Sequence, residues 1–214
     1  VFANAGFYSK EPNNYAVYPN NQQIVDPNLI NEKISSVELG YGYRSSKVRG
    51  NVNLYYTEWK DRFTRLGGLT MNDQAGVETR NIYANIEGVK EVHMGAEFEL
   101  FYKPLDFLEF NAMFSLGDWF YKGDATGSTF DENNNPFTPE GGQATKTLYI
   151  DKIKVSDAAQ TTASLGFTVN PIKKMNVFAN WNYYDRYFSV FDITRASNPG
   201  SKGALELPKY NLFD

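Results

Sequence analysis

Apolar and polar residues alternate with period two over much of this chain. Between 48 and 56 the apolar positions are Val48, Val52, Leu54 and Tyr56, with Arg49, Asn51 and Asn53 between them. Between 108 and 116, Leu108, Phe110, Ala112, Phe114 and Leu116 alternate with Glu109, Asn111 and Ser115. Between 175 and 183, Met175, Val177, Ala179, Trp181 and Tyr183 alternate with Asn176, Asn180 and Asn182. Successive side chains of a strand point to opposite faces, so each run predicts a strand with one apolar and one polar face. Three more runs repeat the pattern. Val37, Leu39, Tyr41 and Tyr43 oppose Glu38, Gly40 and Gly42; Met94, Ala96, Phe98, Leu100 and Tyr102 oppose Gly95, Glu97 and Glu99; Leu165, Phe167 and Val169 oppose Ser164, Gly166 and Thr168. Strands are expected at 1–9, 34–44, 48–62, 92–103, 108–122, 158–170, 175–190 and from 208 onward.

The gaps between these strands come in two sizes. Residues 45–47, 104–107 and 171–174 are tight connections, whereas 10–33, 63–91, 123–157 and 191–207 are long and rich in Asn, Gly, Pro and Asp. Short and long connections alternate, as they do when a membrane barrel makes short periplasmic turns and long outer loops. Three apolar bands end at one offset: Glu58 follows Val48, Asp118 follows Leu108 and Asp185 follows Met175, ten residues on in each case. A lipid-facing band of that length matches a tilted strand crossing the hydrocarbon. An acid is cheap only near the interface, so Glu58, Asp118 and Asp185 mark the membrane edge. The expected lipid-facing set is Val48, Val52, Leu54, Tyr56, Phe110, Phe114, Trp181 and Tyr183, with Leu54 and Phe110 at mid-band. Tyr41, Tyr43 and Tyr102 near the short turns, and Tyr56 and Tyr183 near the long loops, suit two aromatic girdles. The fold class that follows is all-β, an antiparallel transmembrane β-barrel of which 1–214 supplies about eight strands. A soluble β-sandwich also gives period-two strands, but it favours strands of about 5–6 residues.

Composition agrees with this fold. The chain is 42% hydrophobic and 16% aromatic, yet its mean hydropathy is -0.49. Nothing approaches the run of about 18 apolar residues that a membrane helix needs, whereas barrel strands keep mean hydropathy low by alternation. The net charge of -4 is scattered, which gives nucleic-acid binding no support. Thiolate metal sites and disulfide scaffolds drop out, because the chain has no cysteine.

Several local strings carry a family resemblance. Asp26-Pro27-Asn28-Leu29-Ile30-Asn31-Glu32-Lys33, followed by Ser36-Val37-Glu38-Leu39-Gly40-Tyr41, resembles the "NPNLKPEK…ELGY" stretch of TonB-dependent receptors, with Asp26 for the first Asn and Ile30-Asn31 for Lys-Pro. Asn53-Leu54-Tyr55-Tyr56-Thr57 with Trp59-Lys60-Asp61, Gly95-Ala96-Glu97-Phe98-Glu99, and the stretch from Asp157 to Gly166 are similar to that family in the same order. The resemblance implies the later part of a 22-stranded barrel in the cell outer membrane. It also implies a plug and the barrel ends elsewhere, and outer-membrane lipid and the TonB complex as partners; it allows a surface lipoprotein as well. The function implied is energised uptake of an iron chelate, an oligosaccharide or a peptide. The rivals are a passive porin and a soluble glycan-binding β-domain.

Candidate chemistry is sparse. His93 is the one histidine, so no His–His metal site can form. A Ser–His–Asp arrangement would need His93 to meet Ser115 or Ser164, and no local motif supports that. No catalytic residue, resident metal or cofactor is assigned, and the chain is not expected to be an enzyme. The run Asp131-Glu132-Asn133-Asn134-Asn135, with Asp124 nearby, offers calcium-type oxygens without the spacing of an EF-hand. Glu38, Glu97, Glu99, Glu109 and Arg49 are expected on the lumen face, bonded across strands and to a plug. Tyr15, Tyr18, Phe130 and Tyr149 are loop aromatics suited to stacking on a ligand, with no single one favoured.

Overall fold

The computed structural model of the protein describes residues 1–18, 29–156, 158–200 and 203–214. Asp26, Pro27, Asn28 and Asp157 of the resembling strings lie outside these residues, as does the side chain of Tyr15. In chain order the elements are β1 (Phe2–Lys10), the single-turn α1 (Asn14–Val17), β2 (Glu32–Arg44), β3 (Val48–Asn72), β4 (Glu78–Leu105) and β5 (Leu108–Tyr121). Then follow β6 (Ala125–Phe130), β7 (Thr145–Leu148), β8 (Thr161–Val169), β9 (Val177–Asp185), β10 (Tyr187–Phe188), the single-turn α2 (Ile193–Ala196), β11 (Glu206–Leu207) and β12 (Tyr210–Phe213). One antiparallel sheet follows the path β1-β2-β3-β4-β5-β8-β9-β12, so its eight strands answer in order to the eight expected ones. Among the described residues β1 pairs only with β2 and β12 only with β9, which leaves the sheet open at both edges.

The register explains why the apolar bands look alike in sequence. Val48 opposes Tyr102, and Tyr102 opposes Phe110, which lies two residues inside the start of its own band at Leu108. Leu108 opposes Val169, and Val169 opposes Val177, two residues inside Met175. The bands therefore slip by two residues every two strands, or one per strand. At about 3.3 Å per residue against about 4.8 Å between strands, that slip corresponds to a tilt of about 35°. Membrane barrels have strand tilts of this size. Ten residues from Val48 to Glu58 then rise roughly 27 Å, close to the apolar band of about 25 Å that such barrels present.

All four long connections contain regular structure that alternation did not reveal, and 10–33 holds the single-turn α1. The expected loop 63–91 is a hairpin extension: β3 runs 25 residues and β4 runs 28, and they meet at a turn where Asp73 N–H donates to Val77 O at 2.9 Å. The register shifts between Trp59 and Arg62, Arg62 and Thr64, Leu66 and Leu69, and Leu69 and Met71. Each extra residue sends the following side chains to the opposite face, so period two dissolves while pairing continues. The expected loop 123–157 holds β6, which pairs with β4, and β7, which pairs with β6. The expected strand 175–190 starts at Val177 and stops at Asp185, because Arg186 adopts φ 55°. The region 191–207 holds α2 and β11, and β11 pairs with β10.

Burial separates two regions. Among the described residues the buried hydrophobic side chains lie outside the bands. One cluster joins Ala84, Ile86 and Val89 of β4 to Ala125, Leu148, Ile150, Ile153, Phe191, Ile193 and Ala196. Leu66, Leu69, Tyr121 and Ala204 pack against it. Three long connections thus fold together, on the side expected to be outer, into one body with a buried apolar core, the outer body. In the wall below, large apolar residues stay open: Leu39, Leu54, Leu116 and Leu165 are 52, 50, 45 and 55% exposed.

Candidate functional site

The strand pairing continues each face across the wall. Val52 opposes Phe98, Phe98 opposes Phe114, Phe114 opposes Ala163 and Ala163 opposes Tyr183. Val48, Leu54, Tyr56, Phe110 and Trp181 share that apolar face by their two-residue spacing and cross-strand pairing. Glu58, Asp118 and Asp185 lie on the same face at its outer end. Glu58 opposes Val92 and Asp118 opposes Met94, while Asp185 opposes Thr161, which opposes Leu116, so each acid lies two pair-rows below the previous one, two strands away. That descent equals the slip of the bands, and in a wall tilted by about 35° it levels the three acids. Glu58 pairs with Lys60 at 3.5 Å and Lys122 at 3.4 Å. Asp118 pairs with Lys154, and with Arg186 at 3.3 Å. Asp185 accepts from the Tyr183 hydroxyl at 2.7 Å.

The opposite face is polar. Glu38 accepts from Asn4 Nδ2 at 3.1 Å and Asn53 Nδ2 at 2.5 Å, and Glu99 accepts from Asn51 Nδ2 at 3.5 Å. Arg49 lies over the Phe101 ring, 4.2 Å from its centroid. Glu38, Glu97, Glu99 and Glu109 have no cation partner among the described residues.

At the outer end of the polar face a tighter cluster forms. His93 stacks on Trp119 with centroids 5.3 Å apart and planes 15° apart, and it meets Trp59 at 6.5 Å. Its Nε2 lies 3.1 Å from Glu91 Oε2. Glu91 is only 4% exposed and also pairs with Arg62, whose guanidinium sits 5.1 Å from the Trp59 ring centroid. A buried carboxylate is tolerated only when it is paired and hydrogen-bonded, as this one is. Trp119 Nε1 donates to the Tyr55 hydroxyl at 2.9 Å. Gly95 permits this contact, because a Cβ there would meet the Tyr55 hydroxyl at 2.6 Å and the Leu116 carbonyl oxygen at 2.5 Å. Gln160, almost fully buried, accepts the Trp119 backbone N–H at 3.0 Å and donates to the carbonyls of Trp119 and Val155 at 2.9 and 3.1 Å.

In sequence His93 stands out as the lone histidine and as the one base a Ser–His–Asp arrangement could use. Its ring neighbours are two tryptophans, and Ser115 lies four residues from Trp119 along β5, about 13 Å away at strand rise. Arg62, Glu91, Trp59, Trp119 and Gln160 escaped the reading because most of them lie beyond the regular bands. The usable signal was two tryptophans on polar-face parity near strand ends.

The outer body offers further polar surface. A groove of about 600 Å³ at the tip of the β3–β4 hairpin is lined by Asn72, Glu140, Gln143, Lys146 and Asn198, among others. Asp131 accepts the backbone N–H groups of Asn133 and Asn135, both at 2.8 Å, and the Asn135 side-chain amide at 3.0 Å. Burial alone would raise its pKa, but these three bonds outweigh it and hold the carboxyl below the usual range. Its oxygens are thus engaged within its own turn. Among the described residues no group of three acidic or histidine side chains is placed to share a metal ion. Tyr18 and Tyr149 are exposed and Phe130 is half-buried in β6.

The family model "TonB dependent receptor-like, beta-barrel" matches residues 1–214. The chain belongs to this family. Among solved structures it is similar to "Copper transporter OprC", at 14% identity and a TM-score of 0.58, covering 99% of this chain and 27% of that one. It is also similar to the P. putida toluene transporter TodX, at 16% identity and a TM-score of 0.38, covering 86% of this chain and 49% of that one. No curated protein matches it in sequence. The OprC likeness shows the fold alone. The chain spans about a quarter of the OprC length, and its open sheet is one part of a larger barrel wall.

Proposed function

We propose that this TonB-dependent receptor barrel segment belongs to an importer of the cell outer membrane, which takes up a bulky nutrient with energy supplied through the TonB complex. In this reading residues 1–214 form one stretch of a single barrel domain, and other parts of a longer polypeptide supply the remaining strands and a plug. Val48, Val52, Leu54, Tyr56, Phe110, Phe114, Trp181 and Tyr183 face outer-membrane lipid, and Glu58, Asp118 and Asp185 mark the outer edge of the apolar layer. The observation that carries the reading is the row of cation-free carboxylates on the polar face. Glu38, Glu97, Glu99 and Glu109 offer hydrogen-bond acceptors that a plug bearing Arg, Lys or amide side chains would complete. The outer body captures the ligand. The Trp59–His93–Trp119 cluster at the mouth offers aromatic faces to an iron chelate, a sugar or a peptide. A surface lipoprotein fits the outer body as an accessory partner.

Conductance separates this reading from a passive porin, which would use the same wall without a plug. The full-length protein, inserted in a planar phosphatidylcholine bilayer, is expected to hold the membrane closed. Stable open-channel steps would overturn the plugged reading and support a porin.

A further inference from the structure

Above the acids, on the apolar face, four lysines stand side by side on four neighbouring strands. Lys33 of β2 opposes Lys60 of β3. Lys60 and Asp61 form the bulge between the Trp59–Glu91 and Arg62–Val89 pairs, and so sit opposite Lys90 of β4. The backbone N–H of Lys122, just past β5, donates to the Lys90 carbonyl at 2.9 Å. Lys90 precedes Val92 by two residues and Lys122 follows Phe120 by two, which keeps both on the face of Glu58 and Asp118. The same edge continues with Lys154, bridged to Phe120, with Lys152, whose N–H donates to the Tyr121 carbonyl at 2.8 Å, and with Arg186.

Such a row opposes ordinary sheet energetics. Side chains directly opposite on adjacent strands have Cβ atoms about 5 Å apart, and like charges so placed destabilise the pair. Glu58, Asp61 and Asp118 pair with Lys33, Lys60, Lys122, Lys154 and Arg186. That leaves five cations sharing three carboxylates. Lys90 and Lys152, both exposed, have no ion pair among the described residues. The row also has a defined height. Taking the slip of one residue per strand, Lys33, Lys60, Lys90 and Lys122 climb from about one to about four residues above the level of the acids. This keeps them within roughly 10 Å of it, in the headgroup zone that borders the hydrocarbon.

We propose that the Lys33–Lys60–Lys90–Lys122 row, with Lys152, Lys154 and Arg186 beside it, binds the phosphate groups of a phosphorylated outer-leaflet glycolipid. Charge complementarity and continuity with the apolar band both favour this occupant. Acyl chains would lie along Leu54 and Tyr56 while the phosphates reach the ammonium groups, whose long stems lie along the wall. The acids hold the lysines apart and upright when no phosphate is present. The proposal rests on the membrane placement given above.

The test uses the full-length protein in dodecyl maltoside micelles, with diphosphorylated lipid A, its dephosphorylated form and inorganic phosphate as probes. Binding is read by native mass spectrometry. Diphosphorylated lipid A is expected to bind at least tenfold more tightly than the dephosphorylated form, and millimolar inorganic phosphate should not displace it. At about fivefold per surface lysine, the triple variant Lys60→Gln, Lys90→Gln, Lys122→Gln should lose on the order of 100-fold. Lys90→Gln alone should lose about fivefold. A control triple at the short turns, Lys47→Gln, Lys103→Gln, Lys173→Gln, should bind as the wild type does. Equal binding of the two glycolipids, full displacement by inorganic phosphate, or equal losses in the two triples would overturn the proposal. Insertion of each protein into phosphatidylcholine vesicles, read by protease protection, is scored separately. A wild type that fails to insert sinks the membrane placement. Proteins that all insert but do not discriminate sink only the phosphate site.

Discussion

Replacing Leu54 by arginine tests the membrane depth assigned to the wall. Leu54 is half exposed on the apolar face, opposite Leu39 on β2 and Ala96 on β4. It lies four residues below Glu58 and six above Val48. At a tilt of about 35° these steps are roughly 11 Å and 16 Å, so the side chain falls near the midplane. An arginine there is expected to cost about 2–4 kcal/mol. Phe114, also four residues below its acid, should behave alike. Phe110 differs from the sequence expectation: it sits only two residues inside Leu108, roughly 5 Å from the inner edge, where the same charge costs about 0–1 kcal/mol. Arginine at Asn53 enters the polar face, where it meets Glu38 and the opposing Glu97, and should be tolerated. Urea titration of the full-length protein, refolded reversibly into phosphatidylcholine vesicles, reads the four costs. The expected order is Leu54 and Phe114 together, then Phe110, then Asn53. Equal costs at Leu54 and Asn53 would refute the facing. A cost at Phe110 matching that at Leu54 would refute the depth scale.

Other outcomes follow from the outer body. Leu148→Ala removes a fully buried side chain from its dry core and should cost about 2–5 kcal/mol there, seen as faster proteolysis of the outer connections while the inserted wall stays protected. The Asp131 turn should hold above the ordinary aspartate range near pH 4, where the lowered carboxyl is fully ionised, and open as pH falls through its lower folded value. Amide exchange at Asn133 and Asn135 reports this, and Asp131→Asn should flatten the response. Gly95→Ala should push Tyr55 off Trp119, changing tryptophan emission without altering the heat-modifiable gel shift of the folded barrel.

The wall was legible because one rule governs it. In the proposed membrane placement, lipid on one side and water on the other favour period two from Val48 to Glu58, Leu108 to Asp118 and Met175 to Asp185, with Met113 and Phe178 as apolar exceptions on the polar face. The short connections were legible for a related reason. Residues 45–47 close β2 onto β3 with Ser45 Oγ accepting the Val48 N–H at 3.1 Å, which is local turn chemistry. Above the acids neither rule applies. Asp61, Asn81 and Arg186 take φ of 58, 58 and 55°, each marking a bulge or break that resets parity. Leu148 and Ile150 are apolar residues in polar surroundings whose partners, Ile86 and Phe191, lie tens of residues away. No window of single-sequence pattern contains both sides of that contact. The Arg62–Glu91–His93 contacts escaped for the same reason, since they depend on a bulge at Lys60–Asp61.

Two solvents therefore set two kinds of stability in one chain. The wall buries little of its own apolar surface. Leu39, Leu54 and Leu165 stay about half open, and in water such a face would be an aggregating patch with two unpaired strand edges. In the proposed placement, lipid and neighbouring strands remove both liabilities, so the wall's folding free energy belongs to the membrane and the closed barrel rather than to the segment. The outer body is stabilised as a water-soluble domain is: Ile82, Ile86, Leu148 and Ile150 are fully buried, each contributing roughly 1.5–3 kcal/mol by leaving water. Its position is nonetheless fixed by the wall, because β3 and β4 pass through both regions as continuous strands. A ligand that shifted the outer body would load the same two strands whose polar faces carry Asn53, Glu97 and Glu99. In the proposed importer, these strands provide a direct covalent route from capture at the mouth to the contacts that hold a plug.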